Sequence, residues 1–330
     1  MATLSSNNMN IADIIRRTKP DGTVAHIGEI LDEMLTLAND APFIQGNLPN
    51  AHMTVQRTSL PTFSTRNPNG STTPTKSTTS QTIESPEYIE AFSDVDELVL
   101  RYGGQVESQR AAEAVSFAQS GLQTVSNRFI YGNGSTTPGQ MTGIMVRYAD
   151  TTANNGDNVI LGGSASGQTD NMSILLMNWG ESTVHGWYPQ GTSAGLKVTD
   201  WGKGIRPDSS ALKVMYTEQW QWGFGIAIPD WRGITRIGNI DQSLLIAGTG
   251  ADLFDKMMQA IWTQTATVIG RQAFYMNRTN GMMLDIQARN EVKAGGQLGY
   301  ADVGGQRLRT FQGIPINIED TLTESETRIT

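Results

Sequence analysis

Thr62-Phe63-Ser64-Thr65-Arg66-Asn67-Pro68-Asn69-Gly70-Ser71-Thr72-Thr73-Pro74-Thr75-Lys76-Ser77-Thr78-Thr79-Ser80-Gln81-Thr82 is the stretch on which the fold turns. Twelve of its 21 residues are Ser or Thr, and Arg66 and Lys76 are its only charges. Taken alone, that composition is a disordered linker's, since it buries too little to offset the entropy of ordering. The flanks point elsewhere. Met53-Thr54-Val55-Gln56-Arg57 and Thr82-Ile83-Glu84 alternate as strands do, and Asn67-Pro68-Asn69-Gly70 carries turn chemistry. The reading is a long two-stranded arm with a polar tip that projects from a body; a floppy surface loop is the alternative. A lone two-stranded ribbon is marginal in water, so such an arm requires a partner surface.

Downstream, Ser93 with Asp96 fits a capping box ahead of Val95, Leu98, Val99 and Tyr102, and Gly103-Gly104 marks a break or kink. Ala111, Val115, Ala118, Leu122, Val125 and Phe129 then recur at spacings of four and three, which predicts a long helix to about Ile130, ended by Gly132-Asn133-Gly134. Fewer than three heptads with Ala and Ser inside fit a helix along a sheet better than a coiled coil. Upstream, Ile11, Ile14 and Ile15, and then Val24, Ile27, Leu31, Met34 and Leu35, mark two short amphipathic helices, the second running to about Ala38.

After an exposed Gly/Ser/Asn-rich loop from Asp150 to Asp170, the remainder reads mainly as β. Met172 to Trp179 and Thr183 to Tyr188 are buried strands, and Trp220, Trp222, Phe224, Ile226 and Ile228 alternate onto one face, with Thr235 to Ile240 as the expected partner. Leu253, Phe254, Met257, Met258, Ile261, Trp262 and Thr265 give an amphipathic helix, and Leu308–Phe311, Gln312-Gly313 and Ile314, Ile316, Ile318 a terminal hairpin.

At 330 residues the chain is long for one core and comfortable for two. Its net charge of −8 argues against a protein whose main task is gripping nucleic acid. Cysteine is absent, which removes disulfides and thiol chemistry. No signal peptide or membrane-length apolar run is present, so a soluble, unsecreted chain without membrane contact is expected.

Enzyme motifs fail in context. Gly191-Thr192-Ser193-Ala194-Gly195 has the form of a nucleophile elbow, but His26, His52 and His185 all precede Ser193, and strand-like Leu196-Lys197-Val198 follows where a helix is needed. The phosphate-loop spacings are wrong, and three scattered histidines do not make a metal site. Glu84, Glu87, Glu90, Asp94, Asp96 and Glu97 form a carboxylate cluster; at a helix start the macrodipole makes a solvated or interface role the better reading than acid–base catalysis. Trp220 and Trp222 sit in register on an apolar face, which fits core packing better than sugar stacking.

The order of elements, with several local stretches, resembles the major capsid proteins of tailed phages, specifically the short-tailed type. The stretches are Ile130-Tyr131-Gly132-Asn133-Gly134 before Thr142-Gly143-Ile144; Trp179-Gly180 before Val184-His185-Gly186-Trp187-Tyr188-Pro189; Asp230-Trp231-Arg232 with Arg236-Ile237-Gly238-Asn239-Ile240; Phe274-Tyr275-Met276-Asn277-Arg278; and Phe311-Gln312-Gly313-Ile314-Pro315-Ile316. The similarity runs from about residue 50 to 320.

This resemblance implies an α+β, HK97-like capsid fold: an N-terminal arm (1–50), an extended hairpin loop (51–92), a peripheral domain with the spine helix (93–150), and a mainly β axial domain with returning peripheral strands (151–330). It implies hexamers and pentamers of this chain in an icosahedral shell around double-stranded DNA, no enzyme activity and no cofactor. Inter-subunit contacts are expected at Arg57, Phe63, Arg66, Lys76, Glu84, Glu87 and Glu90, and contacts of the inner face with DNA at Arg16, Arg17 and Lys19. Some relatives crosslink a loop lysine to an asparagine; Lys76 is the sole candidate here, but most of the family does not crosslink, so the resemblance does not imply one. Only about 90 residues precede the spine helix, so a separate scaffolding protein is expected, with a portal and a decoration or cement protein as further partners, in the virion and, during assembly, the host cytoplasm. An encapsulin-type compartment shell of the same fold, enclosing cargo enzymes, is the alternative.

Overall fold

The computed structural model describes residues 35–102, 106–165, 167–208, 211–264, 270–290, 298–303 and 306–329. The elements, in chain order, open with helix α1 (Thr36–Asp40) and strand β1 (Phe43–Gln45). The ribbon strands β2 (His52–Ser59) and β3 (Thr78–Glu84) follow, then β4 (Glu87–Asp96), α2 (Glu97–Tyr102), the long helix α3 (Val106–Tyr131) and α4 (Ile144–Arg147). Next come β5 (Val159–Leu161), β6 (Asn171–Trp179), β7 (His185–Tyr188), β8 (Lys197–Asp208), β9 (Ala211–Ala227) and β10 (Ile234–Asp241). The chain ends through α5 (Gln242–Ile246), α6 (Leu253–Thr263), β11 (Arg271–Met276), α7 (Arg278–Asn290), β12 (Leu298–Val303), β13 (Gln306–Phe311) and β14 (Ile314–Ile318).

Seven strands form one sheet in the order β12-β13-β14-β11-β6-β10-β5. Its β6 is buried at all nine positions, because both faces are covered, the condition under which a strand reads as a continuous apolar run. Met172, Ile174 and Leu176 point into a core shared with Leu253, Phe254 and Met257 of α6 and Met283 and Leu284 of α7. Leu175, Met177 and Trp179 point into a second core with Val125, Phe129 and Ile130 of α3 and Trp222, Phe224 and Ile226 of β9. One strand thus joins both cores.

The second sheet is built on the 17-residue β9, which pairs with β4, β8 and β7; β1 pairs in parallel with β7. The alternation of Trp220 to Ile228 is borne out, since these side chains are buried on the face that α3 covers. Phe117 stacks on Trp220 and Phe129 meets Phe224 edge-on, with ring centroids 6.0 and 5.8 Å apart. The apolar seam of α3 is buried only in its last turns, and Val115 is exposed; its first turns are held by Arg110, whose Nη2 donates to Asp200 (2.8 Å) and Glu218 (2.7 Å). Gly132 ends the helix because a Cβ there would lie 2.5 Å from Arg128 O and 2.7 Å from Met141 O.

Several expectations are corrected. Ser93 to Asp96 do not open a helix: they pair with Glu218 to Met215 of β9, and the first helical residue is Glu97, with Asp96 Oδ1 accepting from Leu98 N–H. Thr235 to Ile240 lie in β10, which pairs with β6 and β5 in the other sheet, not with β9. The stretch 150–170 contains β5, parallel to β10. Trp262, placed on the apolar face of α6, is largely exposed. Gly103-Gly104 and both N-terminal helical patterns up to Met34 lie outside the described residues. The terminal hairpin forms as read, with Gln312 (φ 50°) and Gly313 (φ 83°) supplying the left-handed turn that suits the twist of the strands.

Candidate assembly surface

Strands β2 and β3 form a two-stranded antiparallel sheet of their own, in register from His52↔Glu84 to Ser59↔Thr78. Residues 60–77 form the tip, which carries a turn in which Gly70 N–H donates to Asn67 O (2.9 Å) and Asn69 takes a φ of 64°. Hydroxyls knit it together: Thr75 Oγ1 donates to Thr62 O (2.9 Å), and Thr78 Oγ1 lies 2.8 Å from Thr58 Oγ1 and 2.7 Å from Ser59 Oγ. Among the described residues nothing covers it, and Phe63 is 97% exposed, with Val55, Leu60 and Ile83 also outward. From His52 to Ile83 there is no acidic residue, so Arg57, Arg66 and Lys76 make the ribbon positive on a chain that is negative overall.

The root is fastened by polar contacts. Asn47 imitates a strand partner, giving its Nδ2–H to Met53 O and taking Met53 N–H at Oδ1, both at 2.7 Å. Gln56 Nε2 donates to Ile228 O (3.0 Å), and Arg147 grips Glu84 through both carboxylate oxygens at 2.6 Å. His52 is stacked on Trp187 and lies against His185.

Of the seven residues expected to touch a neighbouring subunit, Arg57, Phe63, Arg66 and Lys76 lie on the exposed ribbon and tip, although Arg66 folds back to donate to Gly70 O. Of the three acids Glu87 is corrected, while Glu84 and Glu90 have partners within their own subunit. Glu87 is 5% exposed and accepts from Arg128 Nε (2.9 Å) and Met141 N–H (3.1 Å), so it ties β4 to the end of α3 inside one subunit. Glu84 is committed to Arg147, and Glu90 accepts from Gln219 and from Gln221 (2.7 Å) along its own sheet. Residues 87–92, read with the loop, pair with β9 throughout, so the projecting part ends at Glu84. Arg16, Arg17 and Lys19 lie outside the described residues.

Glu87→Ala is expected to lower subunit stability by about 2–3 kcal/mol, because it strands Arg128 and a buried backbone N–H. Glu90→Ala, on the exposed face, should stay within ~0.5 kcal/mol. Urea unfolding of the two variants compares them directly, and equal losses would refute the assignment of Glu87 to the interior.

Sequence reasoning missed a second apolar surface. The β8–β9 hairpin runs past the end of β4, and there Ile205, Leu212 and Val214 are exposed, with Trp201 also exposed further back along β8. The alternation of Trp220 and Trp222 continues back through Val214 and Leu212, and was the available signal. The elbow-like Gly191–Gly195 is a loop between β7 and β8 with left-handed glycines at both ends and an exposed Ser193. Among the described residues, no three His, Asp or Glu side chains come together to hold a metal, and no helix is long and apolar enough to cross a membrane.

Residues 19–330 match the family model described as major capsid protein GP7. No curated protein matches significantly. Among solved structures, a chain in the structure of bacteriophage Epsilon15 is 28% identical over 99% of each chain, with a TM-score of 0.79. The SrpI encapsulin of Synechococcus elongatus is 10% identical, covering 66% of this chain and 92% of that one, with a TM-score of 0.48. The capsid of Myoviridae phage XM1 is 10% identical, covering 73% and 100%, with a TM-score of 0.44. The last two are too distant to carry an argument.

Proposed function

Because this chain belongs to the major capsid protein GP7 family, we propose that its ribbon, residues 52–84, is the clasp by which one subunit of the shell holds the next. The chain is a shell-forming structural protein of the tailed-phage virion, with the HK97-like capsid fold. The observation that carries the clasp is a sheet with, among the described residues, two strands and no third, ending in an uncovered Phe63. Beyond its root, where the contacts with the body end, such a ribbon is marginal until it lies against a further surface. Phe63 is the expected anchor, since an aromatic side chain closed into a neighbour is the commonest source of interface energy; Arg57, Arg66 and Lys76 favour an acidic receiving surface.

Within this reading residues 1–50 are an arm, the ribbon is the extended loop, α3 with the β9 sheet is the peripheral domain, and the seven-stranded sheet with α5–α7 is the axial domain. The chain has no catalytic role. Its assembly takes place in the host cytoplasm with a separate scaffolding protein, a portal and a decoration protein. Its acidic balance suits a container whose packaged double-stranded DNA must move, because contacts to phosphate rest on cationic side chains. Arg16, Arg17 and Lys19 are the proposed exceptions on the inner face.

Electron microscopy of the purified chain, expressed alone and with the products of neighbouring genes, tests the proposal. Closed or aberrant shells are expected, and Phe63→Ser should reduce their yield at least tenfold, since anchors are worth about 2 kcal/mol or more. A monomer under every condition, or an unaffected yield, would overturn it.

A further inference from the structure

His52 is the first residue of ribbon strand β2 and His185 the first residue of β7 in the body, so their contact spans the joint about which the ribbon is attached. His52 is 7% exposed and His185 1%. Their Nε2 atoms are 3.3 Å apart with the rings perpendicular, and His52 also stacks on Trp187 at 5.7 Å. Among the described residues, His52 Nδ1 has no hydrogen-bond partner. Burial of two imidazoles that rest chiefly on one hydrogen bond between them is costly for packing alone. Two neutral imidazoles can share one Nε2–H···Nε2 bond, and a singly protonated pair keeps it. A doubly protonated pair aims two N–H groups and two positive charges at each other in a dry site.

We propose that His52 and His185 form a proton-operated latch at the root of the ribbon, closed while the two rings share one proton between their Nε2 atoms and open once both rings are cationic. The latch is a property of one subunit and does not depend on what the ribbon holds.

The charged groups around the pair are few. Glu84 lies opposite His52 in the ribbon ladder and is itself gripped by Arg147. The backbone of Gly180 and Glu181 borders His185, and Asp230, bound to Arg232, donates its N–H to Thr183 O. Burial, and then the nearness of His52, pushes His185 down to about 4. Burial also lowers His52, opposed by Glu84. An open root would titrate near the ordinary 6.5, so between 6.5 and about 4 it binds protons that the closed root does not. The closed form is therefore fully favoured above 6.5, weakens as pH falls, and has lost this contribution below about 4.

Hydrogen exchange of the unassembled full-length chain, followed by mass spectrometry at neutral pH and near pH 4.5 and corrected for intrinsic rates, reads the latch. Opening of residues 47–56 and 185–188, relative to β6, is expected to rise at least about tenfold on acidification, since each pH unit of displaced titration is a factor of ten. His52→Gln with His185→Gln keeps a neutral hydrogen bond and should abolish the rise, which separates the histidines from Glu84. No rise in the natural chain, or the same rise in the double variant, would overturn the proposal. Should the double variant leave β6 unprotected, C2-proton exchange of each imidazole in the natural chain decides: a His185 midpoint well below 6.5 supports the latch, and one at 6.5 removes it.

Discussion

Arg236→Met is expected to cost the unassembled subunit about 3–5 kcal/mol of folding stability, the usual result of removing one member of a buried ion pair. Arg236 sits in β10 at 4% exposure and uses every side of its guanidinium. Nε donates to Ser173 Oγ (3.1 Å), Nη1 to the carbonyls of Met145 (3.2 Å) and Tyr148 (2.9 Å), and Nη2 to Glu326 Oε2 (2.9 Å). Glu326 in turn accepts from Tyr131 Oη (2.8 Å) and from Ser173 Oγ, while its backbone N–H donates to Asn171 O (2.9 Å). Methionine fills the stem's volume but leaves Glu326 charged without a counter-ion and two buried carbonyls without donors. The second change, Glu326→Gln, should then restore about half the loss, because removing the stranded charge removes the larger penalty. Urea unfolding of the natural chain, both single variants and the double variant measures this. A loss below about 1 kcal/mol would mean that water reaches the pair and that it belongs with exposed ion pairs of little value.

That cluster gathers the end of α3 (Tyr131), α4, β6, β10 and the C-terminal segment at one point. It fixes the long helix to the seven-stranded sheet.

None of this was legible in the sequence, and the reason is distance along the chain. Arg236 and Glu326 are 90 residues apart and Glu87 and Arg128 are 41 apart, so no local pattern links them. Glu84, Glu87 and Glu90 therefore read as solvated or interface acids, when their partners within the chain arrive from α4, α3 and β9. Local signals succeeded where the element carries its own reason. The turn at Asn67–Gly70, the alternation of Trp220 to Ile228 and the stop at Gly132 are each set by neighbours in sequence. They failed where pairing overrode them: Ser93 and Asp96 have the spacing of a cap, yet a ten-residue ladder to β9 outweighs one capping interaction. Helix α7 was missed because Gly281 interrupts its pattern, at a point where a Cβ would come 2.9 Å from Ile318 Cδ1 of β14. The ribbon itself was visible; which of its residues face outward was visible only for those beyond the root.

Replacing residues 60–77 by Asn-Gly is expected to abolish shell assembly while leaving the body intact. Ser59 and Thr78 are already paired at the end of the ladder, so a two-residue turn closes the hairpin without strain on either strand. The removed segment makes no hydrogen bond to the body beyond the ribbon's own strands among the described residues, and its apolar side chains Leu60 and Phe63 face outward. Subunit stability should therefore change by no more than ~0.5–1 kcal/mol, within the range of surface changes and somewhat raised by the shorter loop. Under the proposed clasp assembly responds differently, because every copy then gives one clasp and receives one, and the loss is repeated around the whole shell. If each clasp is worth about 3 kcal/mol, the subunit concentration needed for closure rises roughly 100-fold. Light scattering and electron microscopy across a concentration series would then find shells for the natural chain and none for the shortened one at matched concentration, with equal urea midpoints for both. Shells at an unchanged threshold would show that the subunits hold one another elsewhere, with the exposed Trp201, Ile205, Leu212 and Val214 of the β8–β9 hairpin as the next surface to test.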